Sequence, residues 1–382
     1  MRRLVSFWHP KNRIFAPVKF LRILLWPVSL LYGFAVWLRN RLFDAGLLKS
    51  ATFSDIALIG VGNLTAGGTG KTPHVEYIVR LLMQNWKVAT LSRGYGRSTR
   101  GFILADPSSD AAQIGDEPMQ FRRRFPETVP VAVDARRVHG VKQLKEKFAE
   151  LQTIVLDDVF QHRRIKPGLQ ILLTDYNRPF YKDQLLPTGM LRESKAGMKR
   201  ADIIIVTKTP AMFSPLERKR IMREINAGAW QQIYFSTIRY GELVPFGSKP
   251  GKPLLSKEYY FERGYSIVLL TGIANASVLE YELRGKVKEL VTLNFADHHA
   301  YTVADLQRLR NLYDNLKTDN KLILTTEKDA MRLLRPELME AVEGLPVFYI
   351  PIEVAFHDKD AENFNQQITD YVRSYHQQRK PY

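Results

Sequence analysis

The chain of 382 residues contains no cysteine. This absence excludes a disulfide framework, a thiolate metal site and a cysteine nucleophile, and it is consistent with a reducing compartment. Internal repeats and low-complexity tracts are also missing from the sequence. Hydrophobic residues make up 45% of the chain, which is enough for a packed core. The length suggests two domains of about 150 to 200 residues each, so we expect a folded, enzyme-sized protein.

Acidic residues are few compared with basic ones. The chain has 39 Asp and Glu against 56 Lys and Arg, which gives a net charge of +17. Such an excess indicates a polyanionic partner, which could be nucleic acid, an anionic membrane or a phosphorylated substrate. The sequence contains no basic and aromatic module typical of nucleic-acid readers, so we expect no nucleic-acid partner.

The first fifty residues differ from the rest of the chain. Residues 1–50 carry nine basic residues and one acidic residue. Residues 23–38 are apolar on every side of a helix and include Trp26, Tyr32 and Trp37, which are favoured at the level of lipid headgroups. No small-residue cleavage site of a signal peptide follows them. We predict a membrane-associated helix, either inserted or lying in the membrane plane, and the alternative is an amphipathic or buried core helix.

Short apolar runs alternate with helical patterns from residue 55 onward, as in parallel sheets with crossover helices. This alternation predicts a P-loop NTPase-like α/β fold with a doubly wound, mostly parallel sheet in residues 51–245. A Gly-, Pro- and Lys-rich stretch at residues 247–253 suggests a boundary, followed by a smaller α/β domain over residues 246–382 with a polar C-terminal helix and a basic tail. The predicted strands of the two domains are residues 56–61, 88–91, 153–156, 169–173 and 203–206, and then 267–270, 322–325 and 347–352, with extended connecting strands in residues 233–245.

A glycine-rich loop at residues 62–72 follows the first of these strands and precedes a helix with apolar residues at helical spacing. Pro73 suits the first helical position, where no amide donor is needed. Backbone N–H groups of the loop and the positive end of the helix dipole would bind phosphate oxygens. The candidate nucleotide-binding residues are Thr65, Ala66, Gly67, Gly68, Thr69, Gly70, Lys71 and Thr72.

Two of these residues have side chains suited to triphosphate chemistry. Lys71 would reach the β- and γ-phosphates, and Thr72 would bind Mg²⁺. The loop departs from the G-x-x-x-x-G-K-[ST] pattern, because Thr65 stands where a glycine is expected. Its second half, Gly-Gly-Thr-Gly-Lys-Thr, is complete. The sequence therefore predicts a protein that binds a nucleoside triphosphate.

Several acidic and basic residues could serve the same site. Asp157 and Asp158 follow a buried strand at the edge where ligands bind in open α/β sheets, and we predict that they bind Mg²⁺. Asp116 could accept a proton or could cap a helix. Arg192 and Glu193 could contact phosphate and metal or could form a surface ion pair. The pair His298 and His299 follows a strand-like run, and a solvated or capping role is the alternative for both.

Two other nucleotide-binding classes lack support in the sequence. Partitioning or assembly ATPases of membranes and DNA usually carry Lys-Gly-Gly in the loop, where this chain has residues 66–68 as Ala-Gly-Gly. The guanine motif of GTPases reads [NT]-K-x-D, and the lysine is displaced in residues 326–329. A membrane-associated ATPase of the first class is the principal alternative function.

Together these motifs resemble the tetraacyldisaccharide 4′-kinase family of lipid A biosynthesis. The resemblance begins at about residue 45 and rests on segments that occur in the family order, with Val159 at a position where the family usually has glycine. These segments are VGNLTAGGTGKTP (61–73), LSRGYGR (91–97), GDEP (115–118), LDDVFQHR (156–163), LLPTGMLRE (185–193), FADHHAY (295–301) and TTEKDAMRL (325–333).

The resemblance implies transfer of the γ-phosphoryl group of ATP, with Mg²⁺, to the 4′-hydroxyl of a tetraacylated glucosamine disaccharide 1-phosphate. It implies work at the cytoplasmic face of the bacterial inner membrane, where the acyl chains of this lipid remain. It makes Asp116 the catalytic base, paired with His298 from the second domain, and gives Lys71 and Arg192 phosphate-binding roles. Metal binding would fall to Thr72, Asp157, Asp158 and Glu193.

Overall fold

A computed structural model describes residues 15–247, 255–297 and 299–377, and it describes side chains of the N-terminal helix from residue 24 onward. The described residues form fourteen strands in two sheets. In chain order, the strands are β1 (Ala57–Asn63), β2 (Val88–Ser92), β3 (Ile103–Leu104), β4 (Val131–Val133), β5 (Thr153–Asp157), β6 (Leu169–Asp175), β7 (Ile203–Thr207), β8 (Gln232–Tyr240), β9 (Val244–Pro245), β10 (Ser266–Thr271), β11 (Glu289–Asn294), β12 (Lys321–Thr326), β13 (Val347–Ile350) and β14 (Ile352–Phe356).

Twelve α-helices occur in the described residues, and short 3₁₀ turns lie at Phe180–Lys182 and Lys195–Arg200. The helices are α1 (Phe15–Asp44), α2 (Lys71–Leu82), α3 (Ala111–Ile114), α4 (Asp116–Arg124), α5 (Arg137–Lys147), α6 (Pro215–Ile225), α7 (Lys257–Glu262), α8 (Ser277–Leu283), α9 (Val303–Asn315), α10 (Glu327–Arg332), α11 (Pro336–Ala341) and α12 (Asp360–Gln377).

The larger sheet has nine strands in the order β14-β8-β7-β6-β1-β5-β2-β4-β3. Its seven inner strands are parallel to one another, and the two edge strands, β14 and β3, pair antiparallel with β8 and β4. All residues of β1 are buried, which fits a central strand covered by helices on both faces. The predicted doubly wound, mostly parallel sheet is confirmed.

The smaller sheet has the order β11-β10-β12-β13-β9 and lies at the core of a second lobe. Its strands β10, β12 and β13 correspond to predicted strands, and β11 corresponds to the strand-like run before the histidine pair, for which the sequence gives no bounds. The burial of β11 explains this, because Leu293 is the only one of its six residues that is buried. A half-exposed strand at the sheet edge has little of the apolar pattern that marks a central strand.

The C-terminal part of the chain returns to the larger sheet. Residues 347–352 were predicted as one strand of the smaller domain, but Pro351 divides them into β13 in the small sheet and β14 in the large one. Proline lacks the N–H that a continuous ladder requires. Strand β14 pairs with β8, and α12 packs Phe364, Ile368 and Val372 into the core of the large sheet. Residues 352–377 thus belong structurally to the large lobe, whereas the sequence places them in the domain 246–382.

The predicted N-terminal helix is present as α1. Residues 29, 32, 33, 36, 39 and 40 are buried or half-buried at helical spacing, so one side of α1 lies against the large lobe. Its other side exposes a row of large apolar residues, namely Leu24, Trp26, Val28, Leu30, Leu31, Phe34, Trp37 and Leu38. Among the described residues, no helix has the length and apolar character needed to cross a membrane.

Candidate active site

The glycine-rich loop joins the C-terminal end of β1 to the first turn of α2. Gly67 and Gly70 have φ angles of +113° and +84°, which favour glycine. A Cβ atom added to Gly67 or Gly68 would meet no other described atom within 4 Å. These glycines therefore leave open space in front of the N-terminus of α2, where backbone amides and the helix dipole attract an anion.

Hydrogen bonds from Asn63, Thr207 and His74 hold the second half of the loop. The Asn63 side-chain amide donates to the Thr69 hydroxyl at 2.8 Å, and the Thr207 hydroxyl donates to the Thr69 carbonyl at 2.9 Å. Nδ1 of His74 lies 2.7 Å from the Gly70 carbonyl. Burial lowers the pKa of His74 to about 4, so the ring is neutral and Nδ1–H is the donor in this contact. The loop is thus fixed in shape before any ligand binds.

The first half of the loop is held by the segment around residue 190. The Ala66 N–H donates to the Met190 carbonyl at 2.7 Å, and Nε of Arg192 donates to the Thr65 carbonyl at 3.2 Å. Thr65, where the motif has glycine, is buried and forms a bridge to Leu191. These contacts occupy the Ala66 amide, so phosphate oxygens would have to find their donors in the later part of the loop.

The two adjacent aspartates stand at the end of β5, beside the loop. Asp158 lies close to two cations, with Lys71 Nζ 3.7 Å and Arg192 Nη2 3.2 Å from its Oδ1. Burial opposes ionisation of Asp158, but Lys71 and Arg192 outweigh it and lower its pKa. Asp158 is therefore a carboxylate at neutral pH and links Lys71 to Arg192.

Asp157 has a different environment, because its side chain is completely buried. Burial, followed by repulsion from Glu117 and Asp158, raises the pKa of Asp157 to about 7, while Lys71 and Arg137 oppose the shift. Its Oδ1 atom has no hydrogen-bond partner among the described residues. An unpartnered, buried carboxylate oxygen next to a second carboxylate is the donor type that Mg²⁺ binds.

Other residues near Asp157 are also consistent with a Mg²⁺ site. Thr72 is the second residue of α2, and it is located after Lys71, which contacts Asp158. Among the described residues, no group of three or more His, Cys, Asp or Glu side chains is arranged to hold a metal. Mg²⁺ in phosphoryl-transfer sites is usually held by one or two carboxylates together with water and phosphate oxygens. The residues present therefore fit a Mg²⁺ that arrives with a nucleotide.

Arg192 lies against the loop and the aspartate pair. Its Nη2 atom is 2.5 Å from Asn63 Oδ1, and Nη1 and Nη2 contact the Asp158 carboxylate at 3.3 and 3.2 Å. Arg192 is thus placed beside Asp158 and Lys71, where a phosphate oxygen could be neutralised by both cations.

The Glu193 carboxylate contacts a different set of residues from the Arg192 guanidinium. Its carboxylate accepts hydrogen bonds from Asn40 at 2.9 Å, Arg200 at 2.9 Å and Gln161 at 3.1 Å, and its side chain is only 1% exposed. Direct coordination of Mg²⁺ by Glu193, which the sequence predicts, is at variance with these contacts, because three protein donors already occupy its oxygens. The carboxylate instead joins α1 to the segment that carries Arg192.

Asp116 begins α4 and follows Gly115, whose φ of +98° and close approach to the Tyr95 carbonyl require glycine. Oδ2 of Asp116 accepts hydrogen bonds from Nε and Nη2 of Arg332, both at 2.8 Å. Arg332 belongs to the smaller lobe and is itself held by Asp329 at 2.8 Å. The second lobe therefore contributes a cation to the predicted base.

His298, the predicted partner of Asp116, lies outside the described residues. His299 is described, and its Nε2 lies 3.0 Å from the Asp305 carboxylate while its ring stacks on Phe295 at 4.3 Å. His299 thus has the capping and packing contacts of a structural residue.

A buried cluster of ionisable residues also connects the lobes. Arg124 of α4 contacts Glu76 of α2 at 2.9 Å and forms an ion pair with Glu327 of α10. Gln120 donates to both glutamates at 2.9 Å. Since Glu327 comes from the smaller lobe, this cluster fixes the lobes to each other next to α2.

Sequence reasoning missed several residues of the site. Arg137 is 1% exposed and donates to the Asp157 carbonyl at 3.0 Å. Asn63, Glu117, Gln161 and Arg332 were not singled out either, although all four lie within the quoted motifs. Their position in those motifs was the available signal, but which of them contact each other depends on the tertiary structure.

Comparisons with known proteins show which family this sequence resembles. The family model for tetraacyldisaccharide-1-P 4′-kinase matches residues 21–373. A tetraacyldisaccharide 4′-kinase of Phocaeicola vulgatus is 44% identical over 351 residues, which cover 91% of this chain and 94% of the relative. The enzyme of the same name from Flavobacterium johnsoniae is 41% identical over 354 residues, covering 92% and 98%.

A solved structure has the same fold. The crystal structure of LpxK from Aquifex aeolicus in complex with ATP matches with a TM-score of 0.71 at 25% identity. The match covers 92% of this chain and 99% of that protein. The likeness thus extends over both lobes.

Proposed function

The chain belongs to the tetraacyldisaccharide 4′-kinase family, and on this basis we propose which residues carry out phosphoryl transfer and how the protein meets its lipid. The enzyme transfers the γ-phosphoryl group of ATP to the 4′-hydroxyl of a tetraacyldisaccharide 1-phosphate, a step of lipid A biosynthesis. ATP and Mg²⁺ are its cosubstrates.

The proposed nucleotide site lies at the glycine-rich loop in front of α2. The N–H groups at residues 67–71 bind the phosphates, and Lys71 neutralises the γ-phosphoryl group together with Arg192. Thr72, Asp157 and Asp158 would hold the metal, which would supply positive charge to neutralise the triphosphate. The observation that carries this assignment is the unpartnered, buried Oδ1 of Asp157 beside the Lys71–Asp158 contact.

Asp116 acts as the general base. Its carboxylate takes the proton of the 4′-hydroxyl while that oxygen forms a bond to the γ-phosphorus, and the bond from phosphorus to the bridging oxygen of ADP breaks. Support comes from the location of Asp116 at the start of α4 and from its contact with Arg332 of the other lobe. His298 is proposed as a further partner of this carboxylate.

The exposed apolar row of α1 is proposed to lie in the membrane surface. Leu31 is 72% exposed and Phe34 is 60% exposed, while Ser29 and Tyr32 on the opposite side bond to the large lobe. Such a helix rests in the plane of the headgroups with its apolar side in the acyl region, and basic residues of segment 1–50 attract anionic lipid. Because ATP is a cytosolic compound, we place the enzyme at the cytoplasmic face of the inner membrane.

The activity is tested with purified enzyme, ATP radiolabelled at the γ position and the lipid acceptor dispersed in detergent. We expect label to move to the lipid. Release of inorganic phosphate alone, without labelled lipid, would contradict the kinase function and favour an ATPase.

Membrane docking is tested separately by sedimentation with vesicles that contain phosphatidylglycerol. Replacing Leu31 and Phe34 with glutamate should leave the protein in the supernatant, because charges on the apolar side are costly to insert. Equal sedimentation of this variant and the wild type would show that another surface binds the membrane.

A further inference from the structure

The polar side of α1 contacts the same short segment that carries Arg192 and Glu193. The Tyr32 hydroxyl donates to the Arg192 carbonyl at 2.7 Å, and the Asn40 side chain donates to the Glu193 carboxylate at 2.9 Å. We propose that Asn40 and Tyr32 are positioning residues of the kinase, which set the orientation of Arg192 from the membrane-facing helix. This inference rests on the proposed role of Arg192.

The contacts of Glu193 show why Asn40 matters. Gln161 donates to the Glu193 carboxylate at 3.1 Å and also to the Asn63 carbonyl at 2.7 Å. Asn63 in turn contacts Arg192 through its side-chain oxygen at 2.5 Å. Asn40, Glu193, Gln161 and Asn63 therefore form a continuous chain of hydrogen bonds from α1 to the start of the phosphate-binding loop.

Burial makes this chain sensitive to the loss of one donor. The Glu193 side chain is 1% exposed, and a buried carboxylate that loses a hydrogen bond reorients or recruits another donor. Arg192 is the next residue, and its guanidinium contacts Asp158 and the Thr65 carbonyl. A shift of Glu193 would therefore move Arg192, whose guanidinium is proposed to neutralise the γ-phosphate.

Two further groups of contacts hold α1 against the large lobe without involving Arg192 or Glu193. Ser29 donates to the Leu185 carbonyl at 3.0 Å, and a Cβ on Gly33 would stand 2.7 Å from Leu185 Cδ1. Near its C-terminus, Asp44 pairs with Arg163 at 2.7 Å on the surface. Arg163 also donates to the Asn40 carbonyl at 2.8 Å, and Asp44→Asn leaves that hydrogen bond in place. This substitution therefore offers a control that removes an ion pair of α1 while every side chain of the hydrogen-bond chain keeps its partners.

The experiment compares Asn40→Ala and Tyr32→Phe with the control Asp44→Asn in detergent micelles, where binding to a bilayer is not required. Loss of a hydrogen bond to a charged group predicts that kcat of Asn40→Ala falls about tenfold or more, and the loss of one neutral bond predicts a fall of about fivefold for Tyr32→Phe. KM for ATP and for lipid should stay unchanged, as should thermal unfolding of Tyr32→Phe. Asp44→Asn should retain the wild-type kcat.

Wild-type kcat in both Asn40→Ala and Tyr32→Phe would overturn the inference, and so would an equal loss of kcat in Asp44→Asn. A loss that appears only as a higher KM for lipid would also overturn it, because that result belongs to substrate docking. Failure of the wild-type enzyme to label the lipid in the same assay would instead reject the proposed function.

Discussion

Arg332 and Asp116 form an ion pair between the two lobes, with Nε and Nη2 of Arg332 both 2.8 Å from Oδ2 of Asp116. The proposed base is thus oriented by a side chain that belongs to a different sheet. The same guanidinium donates to the Gly272 carbonyl and to Asp329, each at 2.8 Å. The placement of the base therefore depends on how the lobes fit together.

Asp116→Asn should abolish most turnover while ATP still binds. The amide keeps the size of the carboxylate but cannot accept the proton, so we expect kcat to fall by about 10² to 10⁴-fold. Initial rates of lipid phosphorylation and calorimetric titration with ATP measure the two effects. Asp106→Asn, which alters a carboxylate of an exposed turn, is the control. A turnover close to that of the wild type would remove Asp116 from the role of base.

Arg332→Met should lower both stability and activity. The substitution leaves the fully buried Asp329 and the partly buried Asp116 without their cation, and breaking such a pair costs about 3 kcal/mol. Urea unfolding measures the stability, and the phosphorylation assay measures kcat.

Arg332→Lys is the matched variant, since it keeps the charge but loses the fork of donors. Its loss of stability should be smaller than that of Arg332→Met. If both variants unfold at the wild-type urea concentration, the contact between Arg332 and Asp116 does not stabilise the arrangement of the lobes.

Gly67→Ala should affect nucleotide binding more than folding. The new Cβ would meet no described atom within 4 Å, but it would stand in the space assigned to phosphate at a φ of +113°. Backbone strain should cost about 1 to 2 kcal/mol of stability. The dissociation constant for ATP should rise well beyond what this strain explains.

Gly285→Ala provides the control for strain, because Gly285 has a φ of +84°, equally open surroundings and a location in the smaller lobe. It should lose a similar amount of stability and bind ATP normally. An ATP affinity that is reduced equally in the two variants would mean that Gly67 does not face the phosphates.

The buried cluster of Glu76, Arg124 and Glu327 makes stability depend on pH. Burial raises the pKa of Glu76 to about 8, with Arg124 opposing and Glu327 reinforcing the shift. The folded protein thus holds a proton that the unfolded chain has released, and the free energy of unfolding should fall as the pH rises from about 5 to 8. Glu76→Gln cannot release this proton, so its stability should fall less over the same range. Denaturant titrations across this range test the prediction, and parallel curves for the two proteins would contradict it.

The sequence predicted the strand, glycine-rich loop and helix around residue 70 well, because their signals are local. Strand, glycines and helix follow each other at residues 57–82, and Asp157 and Asp158 stand directly after a buried strand. The relation of Asn40 to Glu193 could not be predicted in this way, since 153 residues separate them. Arg332 and Asp116 are 216 residues apart, and no periodic pattern links such distant positions.

The C-terminal boundary of the smaller lobe could not be predicted from local sequence patterns either. Apolar residues run on both sides of Pro351, so the pattern of residues 347–352 resembles one strand. Residues 347–350 join the small sheet by pairing with β12, and residues 352–356 join the large sheet by pairing with β8. Neither partner is adjacent to these residues in the sequence, so the local pattern does not reveal the division.

The return of β14 and α12 to the large sheet also affects when the enzyme can become active during synthesis. The smaller lobe is an insertion between β8 and β14, and its two connections meet where the Gly241 N–H donates to the Pro351 carbonyl at 2.9 Å. A ribosome must therefore translate the whole smaller lobe before the sheet that carries the glycine-rich loop can acquire its last strand. A nascent chain arrested after β8 would have α1, the helix proposed to dock on the membrane, but an incomplete large sheet, so the proposed docking can precede catalytic competence.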